Sequence, residues 1–346
     1  MPVPRRLVAI VVLLTVPLAV VSPAGATPMP GPLEAFQEQL TAFSTRAPGR
    51  VAIAVEDVAT GVTTGINSGR EMPAASTIKI PVMVEVFRQL VAGDFDLNTK
   101  ITLRKSDRDW GYGELCDAHV GSTYTVSRLL SLMIDVSDNT ATNMLIRRVG
   151  RQRINATMRE LGLNHTHLGD FIRSEGPIRW ALRSSPADMM HLLGAMAKDQ
   201  LVDEWSSRAM IAILRGQHHN GLIPEPLPPG TEIAHKTGTL HDTLNDVGIV
   251  YGDGDDPYVI AVMTTDLPTL DAGRRFIRGV SKMAYTALGK FATWRGDTGF
   301  TQPDRAPATL PDQQMWTPQG TTDVPPAAGP VEPPVPSPAP SPEPGE

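Results

Sequence analysis

Two β-rich runs near the front of the chain and three near its back, with a long helical stretch between them, constrain the fold more than any other feature. Val51-Ala52-Ile53-Ala54-Val55-Glu56-Asp57 is followed by the turn signal Ala59-Thr60-Gly61, and Val62 to Ile66 returns as the second strand of a hairpin. Strand signals resume at Glu232 to Lys236, Asp246 to Tyr251 and Tyr258 to Met263, the last two joined by a turn over Gly252 to Pro257. From Ala75 to about Asp199 the pattern is mainly helical, with breaks at Gly111-Tyr112-Gly113 and Gly162-Leu163-Asn164. An amphipathic helix over Leu33 to about Thr45 precedes the first strand, and a closing one runs from Asp271 to about Phe291. The expectation is an α+β fold: an antiparallel five-stranded sheet flanked by helices, assembled from both ends of the chain, plus an inserted all-α lobe.

The segments outside this core read differently. Arg5 and Arg6, the apolar run Leu7 to Val21 and the small residues Ala24-Gly25-Ala26 form a secretory signal peptide over residues 1–26. The apolar run is short for a membrane span and has no charged stop beyond it, so no transmembrane anchor is expected after cleavage. Localisation outside the cytoplasm, secreted or in the cell envelope, follows. The catalytic unit is expected over residues 27–292. Beyond it, residues 293–346 hold much of the chain's 32 prolines and read as a disordered Pro-rich tail. A formal net charge of -6 gives no electrostatic reason to expect a nucleic-acid partner. Cys116 is the one cysteine, so no intramolecular disulfide can form, and it reads as a structural thiol.

Three short motifs occur in order, each on a suitable element. In Ser76-Thr77-Ile78-Lys79, at the start of a helical pattern, residues three apart share a face, which brings the Lys79 amine within reach of the Ser76 hydroxyl. An alcohol becomes a useful nucleophile only when a base takes its proton. A desolvated lysine near other positive charge can be that base, and an unpaired N–H at a helix start can face a developing oxyanion. In Ser137-Asp138-Asn139, Ser137 is a candidate proton relay, Asn139 a candidate for holding a substrate amide, and Asp138 a helix cap. In Lys236-Thr237-Gly238-Thr239, at a strand end, Lys236 and the two hydroxyls suit a substrate carboxylate. Gly238 permits close approach, and the Thr239 N–H would be the second oxyanion donor. Ser-x-x-Lys alone is a weak signal, whereas the ordered trio is specific.

On these motifs the chain resembles the class A β-lactamase family, within the superfamily of serine β-lactamases and penicillin-binding proteins, from about residue 31 to residue 291. The likeness extends to Thr140-Ala141-Thr142-Asn143, to Ser184-Ser185-Pro186-Ala187-Asp188-Met189, to Asn245-Asp246-Val247, and to Tyr112 as an aromatic residue at the cleft rim. It implies a site between the sheet and the all-α lobe, with no metal and no cofactor, acting on a β-lactam or a D-Ala-D-Ala peptide; a monomer is expected.

Two departures stand out. The family's omega-loop glutamate, which positions the water for deacylation, falls on Ile172 when counted from Leu168, and the loop to Pro186 is shorter than the family's. Glu175 is a candidate substitute and Asp170 a weaker one; both also read as solvated loop acids. Leu244 stands where the family often has a carboxylate-binding arginine; Arg274 or Arg275 could replace it, although a surface position suits them better. The segment from Leu222 to Thr239 is as close to class A-like penicillin-binding proteins, which deacylate slowly. His218-His219 lacks a third ligand for a metal and reads as an exposed loop, and His235 as a packing residue on the strand face opposite Lys236.

The leading expectation is therefore a serine hydrolase that opens β-lactams through an acyl-enzyme. A D-alanyl-D-alanine carboxypeptidase with slow deacylation is the alternative, and a non-catalytic wall-binding protein the third reading.

Overall fold

The computed structural model describes residues 31–174, 180–252, 256–298 and 300. The expected signal peptide, Glu175 and most of the Pro-rich tail lie outside the described residues.

Helix α1 (Gly31–Ser44) leads into strands β1 (Arg50–Asp57) and β2 (Thr63–Ile66). Three long strands close the sheet from the other end of the sequence: β8 (Glu232–Leu240), β9 (Thr243–Tyr251) and β10 (Pro257–Thr265). The sheet order is β2-β1-β10-β9-β8, antiparallel throughout, with Ala54 opposite Ala261 and Lys236 opposite Val247. These strands are almost continuous apolar runs because both faces are covered. On one side Val51, Ile53, Val55, Ile260 and Val262 pack against Leu33, Phe36 and Leu40 of α1 and Phe276, Ile277 and Val280 of helix α8 (Leu270–Thr298). On the other, Ala52, Val247, Ile249, Ala261 and Met263 meet the helical lobe.

That lobe is built around α2 (Lys79–Val91), with α3 (Val126–Asp135), α4 (Asn139–Val149) and α5 (Arg151–Glu160). Helices α6 (Pro186–Ala197) and α7 (Glu204–Arg215) return the chain to the sheet. Starts are marked by side-chain caps: Thr125 accepts from Arg128 N at 3.2 Å, Asp138 from Ala141 N at 2.7 Å and Ser185 from Asp188 N at 3.1 Å.

The helical stretch differs from expectation in holding short ladders. Strands β4 (Lys100–Thr102) and β5 (Thr123–Thr125) pair with each other. β3 (Met72–Pro73) pairs with β7 (Leu182–Ser184), which pairs with β6 (His167–Leu168). Segments of two or three residues are too short for a period to show. Helix α8 also continues past Phe291. Trp294 stacks on Phe291 with ring centroids 5.6 Å apart, and Arg295 pairs with Asp57 at 3.2 Å and with Asp256. Among the described residues, no helix is long and apolar enough to cross a membrane.

Candidate active site

Every residue from Met72 to Phe87 is buried except Ser76, which is half-buried. It lies in a 3₁₀ turn, Ala75–Ile78, that runs directly into α2, so Lys79 is the first α-helical residue. Ala75 takes the left-handed conformation at φ 49°, a costly choice for a non-glycine residue, and turns the chain sharply just before the serine. The turn is held from the sheet. Asn245, fully buried on β9, donates from Nδ2 to Pro73 O at 2.8 Å and Ala74 O at 3.1 Å, while its Oδ1 accepts from Thr264 N at 3.0 Å. Asn245→Ala would take these bonds from Pro73 O and Thr264 N and leave Ala74 O to its two bonds from Thr77, and should cost about 3 kcal/mol in urea unfolding.

Gly238 brings the edge strand β8 against this turn. A Cβ there would stand 2.9 Å from Ala74 O and 3.1 Å from Ser76 N. Thr237 beside it is buried, and Thr239 is exposed at the strand end.

The Lys79 amine has no exposure and touches three oxygens: Ser137 O at 2.6 Å, Ser137 Oγ at 3.0 Å and Asn139 Oδ1 at 2.9 Å. Ser137 sits at φ 58°, in the bend between α3 and α4, which turns both its carbonyl and its hydroxyl toward the amine. Burial, and then the Lys236 charge, hold Lys79 well below the usual lysine range, with Asp138 and Asp109 partly opposing. Lys236 is itself fully buried and donates to Thr237 O at 3.2 Å. Burial lowers it to about 7, against Asp246 and Asp135, which favour its charge.

A hydroxyl, a desolvated amine, a second hydroxyl and a second amine thus lie close together, an arrangement suited to acyl transfer. The Beta-lactamase enzyme family matches residues 35–288. The chain belongs to the β-lactamase enzyme family. Among solved structures, PBP-A aligns at 30% identity and a TM-score of 0.70, over 75% of this chain and 97% of that one. A β-lactamase from Sphaerobacter thermophilus DSM 20745 aligns at 31% identity and TM-score 0.68, over 74% and 97%. A point mutant of PBP-A, solved as an acyl-enzyme complex with penicillin G, aligns at 30% and TM-score 0.70, over 75% and 97%.

Against this β-lactamase frame, the remaining sequence candidates sort clearly. Ile172 is buried in the core, and its backbone is clamped by Asn143, whose Oδ1 accepts from Ile172 N at 2.8 Å and whose Nδ2 donates to Ile172 O at 3.0 Å. Asp170 is exposed and lies 3.7 Å from Arg151, outside the groove cluster. Leu244 is buried in the α1/α8 core; Arg274 pairs with Asp271 on α8, and Arg275 is exposed. Tyr112 stands 48% exposed, with its carbonyl accepting from Asn139 N at 3.0 Å.

Two readings need correction. His235 does lie on the α8 face of β8, yet it is polar rather than a packing residue: its Nδ1 meets Asp246 Oδ1 at 2.9 Å and its Nε2 meets Asn220 Oδ1 at 3.0 Å. His219 is not a solvated loop histidine. Its Nε2 is 3.3 Å from Tyr112 OH, and burial, followed by the Lys236 charge, lowers it to about 4.

Sequence reasoning missed Asp109 and Ser174. The Asp109 carboxylate accepts from Asn139 Nδ2 at 2.9 Å, from Ser174 N at 2.7 Å, from Gly111 N at 3.1 Å and from Ser174 Oγ. Burial pushes this carboxyl up, but the bonds from Ser174, Asn139 and Gly111 outweigh it and hold it below the ordinary range. The available signal was Gly111, where any Cβ would collide with Ser174. Among the described residues, no three His, Cys, Asp or Glu side chains cluster as a metal site.

Proposed function

We propose that this serine-β-lactamase-type hydrolase opens β-lactams through an acyl-enzyme on Ser76. The contact set of Lys79 carries the reading. A neutral amine donates two protons, here to Ser137 O and Asn139 Oδ1, and keeps one lone pair for a hydroxyl proton. Lys79 takes the Ser76 proton as Oγ attacks the lactam carbonyl; the C–N bond breaks, and the nitrogen receives a proton from Ser137 Oγ, which Lys79 replenishes. The Ser76 and Thr239 N–H groups face the oxyanion, Asn139 and Tyr112 line the acyl side chain, and Lys236, Thr237 and Thr239 receive the carboxylate. Water then releases the acid and frees Ser76.

A second reading, a D-alanyl-D-alanine carboxypeptidase with slow deacylation, is favoured by one observation: the Ile172 side chain is sealed in the core and brings no carboxylate to the groove. Glu175, which follows the anchored Ser174 in sequence, is the candidate deacylation base. Time-resolved mass spectrometry of the penicillin G adduct separates the readings. Rapid loss of the adduct that collapses in Glu175→Gln supports hydrolysis with Glu175 as base, whereas a persistent adduct in the wild type supports the peptidase. Absence of any adduct on Ser76 overturns both.

The lowered Lys236 gives a pH test. Its charge is lost as pH rises through about 7, so kcat/KM for an anionic penicillin should fall about tenfold between pH 6 and 9. The methyl ester of the same penicillin has no carboxylate to lose and should lack that falling limb. Superimposable profiles would remove Lys236 from carboxylate binding.

A further inference from the structure

The Asn139 side chain touches Lys79 with one end and Asp109 with the other, and the two contacts demand opposite polarity. Lys79 donates, so it needs the amide oxygen, at 2.9 Å. An ionised carboxylate only accepts, so Asp109 needs the amide nitrogen, also at 2.9 Å. Were the amide rotated by half a turn, Oδ1 would face the Asp109 carboxylate, acceptor against acceptor in a buried site where a lost partner is expensive, and Nδ2 would claim the lone pair of the neutral amine. Asp109 is itself buried and bonded: it is 5% exposed and its two oxygens receive both donors of Ser174 and the Gly111 N–H. Asp109 does not contact Lys79 or either serine of the motifs among its hydrogen-bond partners.

We propose that Asp109 is a positioning residue for acylation: by accepting an Nδ2 proton of Asn139, and by holding Ser174, whose Oγ lies 3.3 Å from the same Nδ2, it locks the amide so that Oδ1 stays on Lys79. This rests on the acylation reading given above. The lock leaves the Lys79 lone pair aimed at hydroxyls rather than spent on an amide N–H, and it ties that geometry to the loop carrying Ser174. A loss of such positioning is worth about 100-fold in rate.

The test measures acylation of the full chain by penicillin G for Asp109→Ala, Asn139→Ala and the double variant. Asp109→Ala is expected to slow acylation about 100-fold, yet to change the Asn139→Ala background by less than about threefold, since it acts through that amide. Losses that multiply overturn the proposal. Asp109→Asn supplies a conservative rescue: an oxygen at the Oδ1 position satisfies three donors, so that orientation is preferred and Asn139 keeps its acceptor. It should recover at least about tenfold over the alanine variant; equal slowness of the two overturns the proposal. The side-chain amide signals of Asn139 in nitrogen-15 NMR, identified by their loss in Asn139→Ala, should shift in Asp109→Asn, and unchanged signals also overturn it. This arm needs no substrate, so failure of wild-type acylation at Ser76 sinks the functional reading while the amide lock is still read directly.

Discussion

Ser76→Ala is expected to abolish the covalent penicillin adduct and to lower acylation by at least about 10⁴-fold, near 5.5 kcal/mol of barrier. The expectation follows from burial as much as from chemistry. From Met72 to Phe87 the chain offers the groove one side chain that is not sealed, and its hydroxyl lies one turn from a desolvated amine. The hydroxyls of the two adjoining motif residues are engaged elsewhere. Thr77 points its Oγ1 back to Ala74 O at 2.7 Å, and Ser137 is held by Lys79 at 3.0 Å. Because the Ser76 side chain is partly exposed, losing one oxygen should leave the thermal midpoint nearly unchanged. A stable Ser76→Ala protein that still forms the adduct would remove Ser76 from the chemistry.

Lys79→Ala is the second large effect, with acylation falling about 10³-fold, in the range for loss of a positioned general base. The amine is unusual in being wholly enclosed, so truncation also leaves Ser137 O and Asn139 Oδ1 without their donor. Stability and rate must therefore be read apart. Lys79→Met fills the volume and should behave like the alanine variant in rate while unfolding at higher denaturant. The wild-type acidic limb of acylation, set by burial and by Lys236 to lie well below the usual lysine range, should vanish in both variants. Its persistence would assign that limb to another group.

The parts of the molecule that were legible in the sequence are those written in local periods. The strands of residues 50–57, 243–251 and 257–265 are rich in β-branched and small apolar residues, and the structure buries them on both faces. The three motifs name residues that lie near one another, Lys79 on Ser137 and Asn139 and Gly238 against the Ser76 turn, because each motif sits where an element begins or ends. Asp109 and His219 carry no such mark. Asn139 and Ser174, the side-chain partners of Asp109, are 30 and 65 residues away, and Tyr112 lies 107 residues from His219. Contacts of that span are set by how the loops are pinned. His218 N donates to Asp135 O and Ile223 N to the Asp246 carboxylate, and this pinning turns His219 inward. Helix α8 was underestimated for a related reason: its last turns are polar in sequence, and their anchor, Asp57, belongs to β1.

The pairing of β1 with β10 places Arg50 opposite Thr265 and Asp57 opposite Tyr258. A polypeptide emerging from its amino end must therefore wait for some two hundred later residues before its first long strand gains its central neighbour. Closing so large a loop carries a high entropy cost ahead of any reward, and such non-local topologies fold slowly. The turn that carries Ser76 hangs from Asn245, on the last-made side of that sheet. Activity should consequently appear only after β9 and β10 have docked, and a nascent chain halted before residue 243 should hold a collapsed helical lobe with no functional groove.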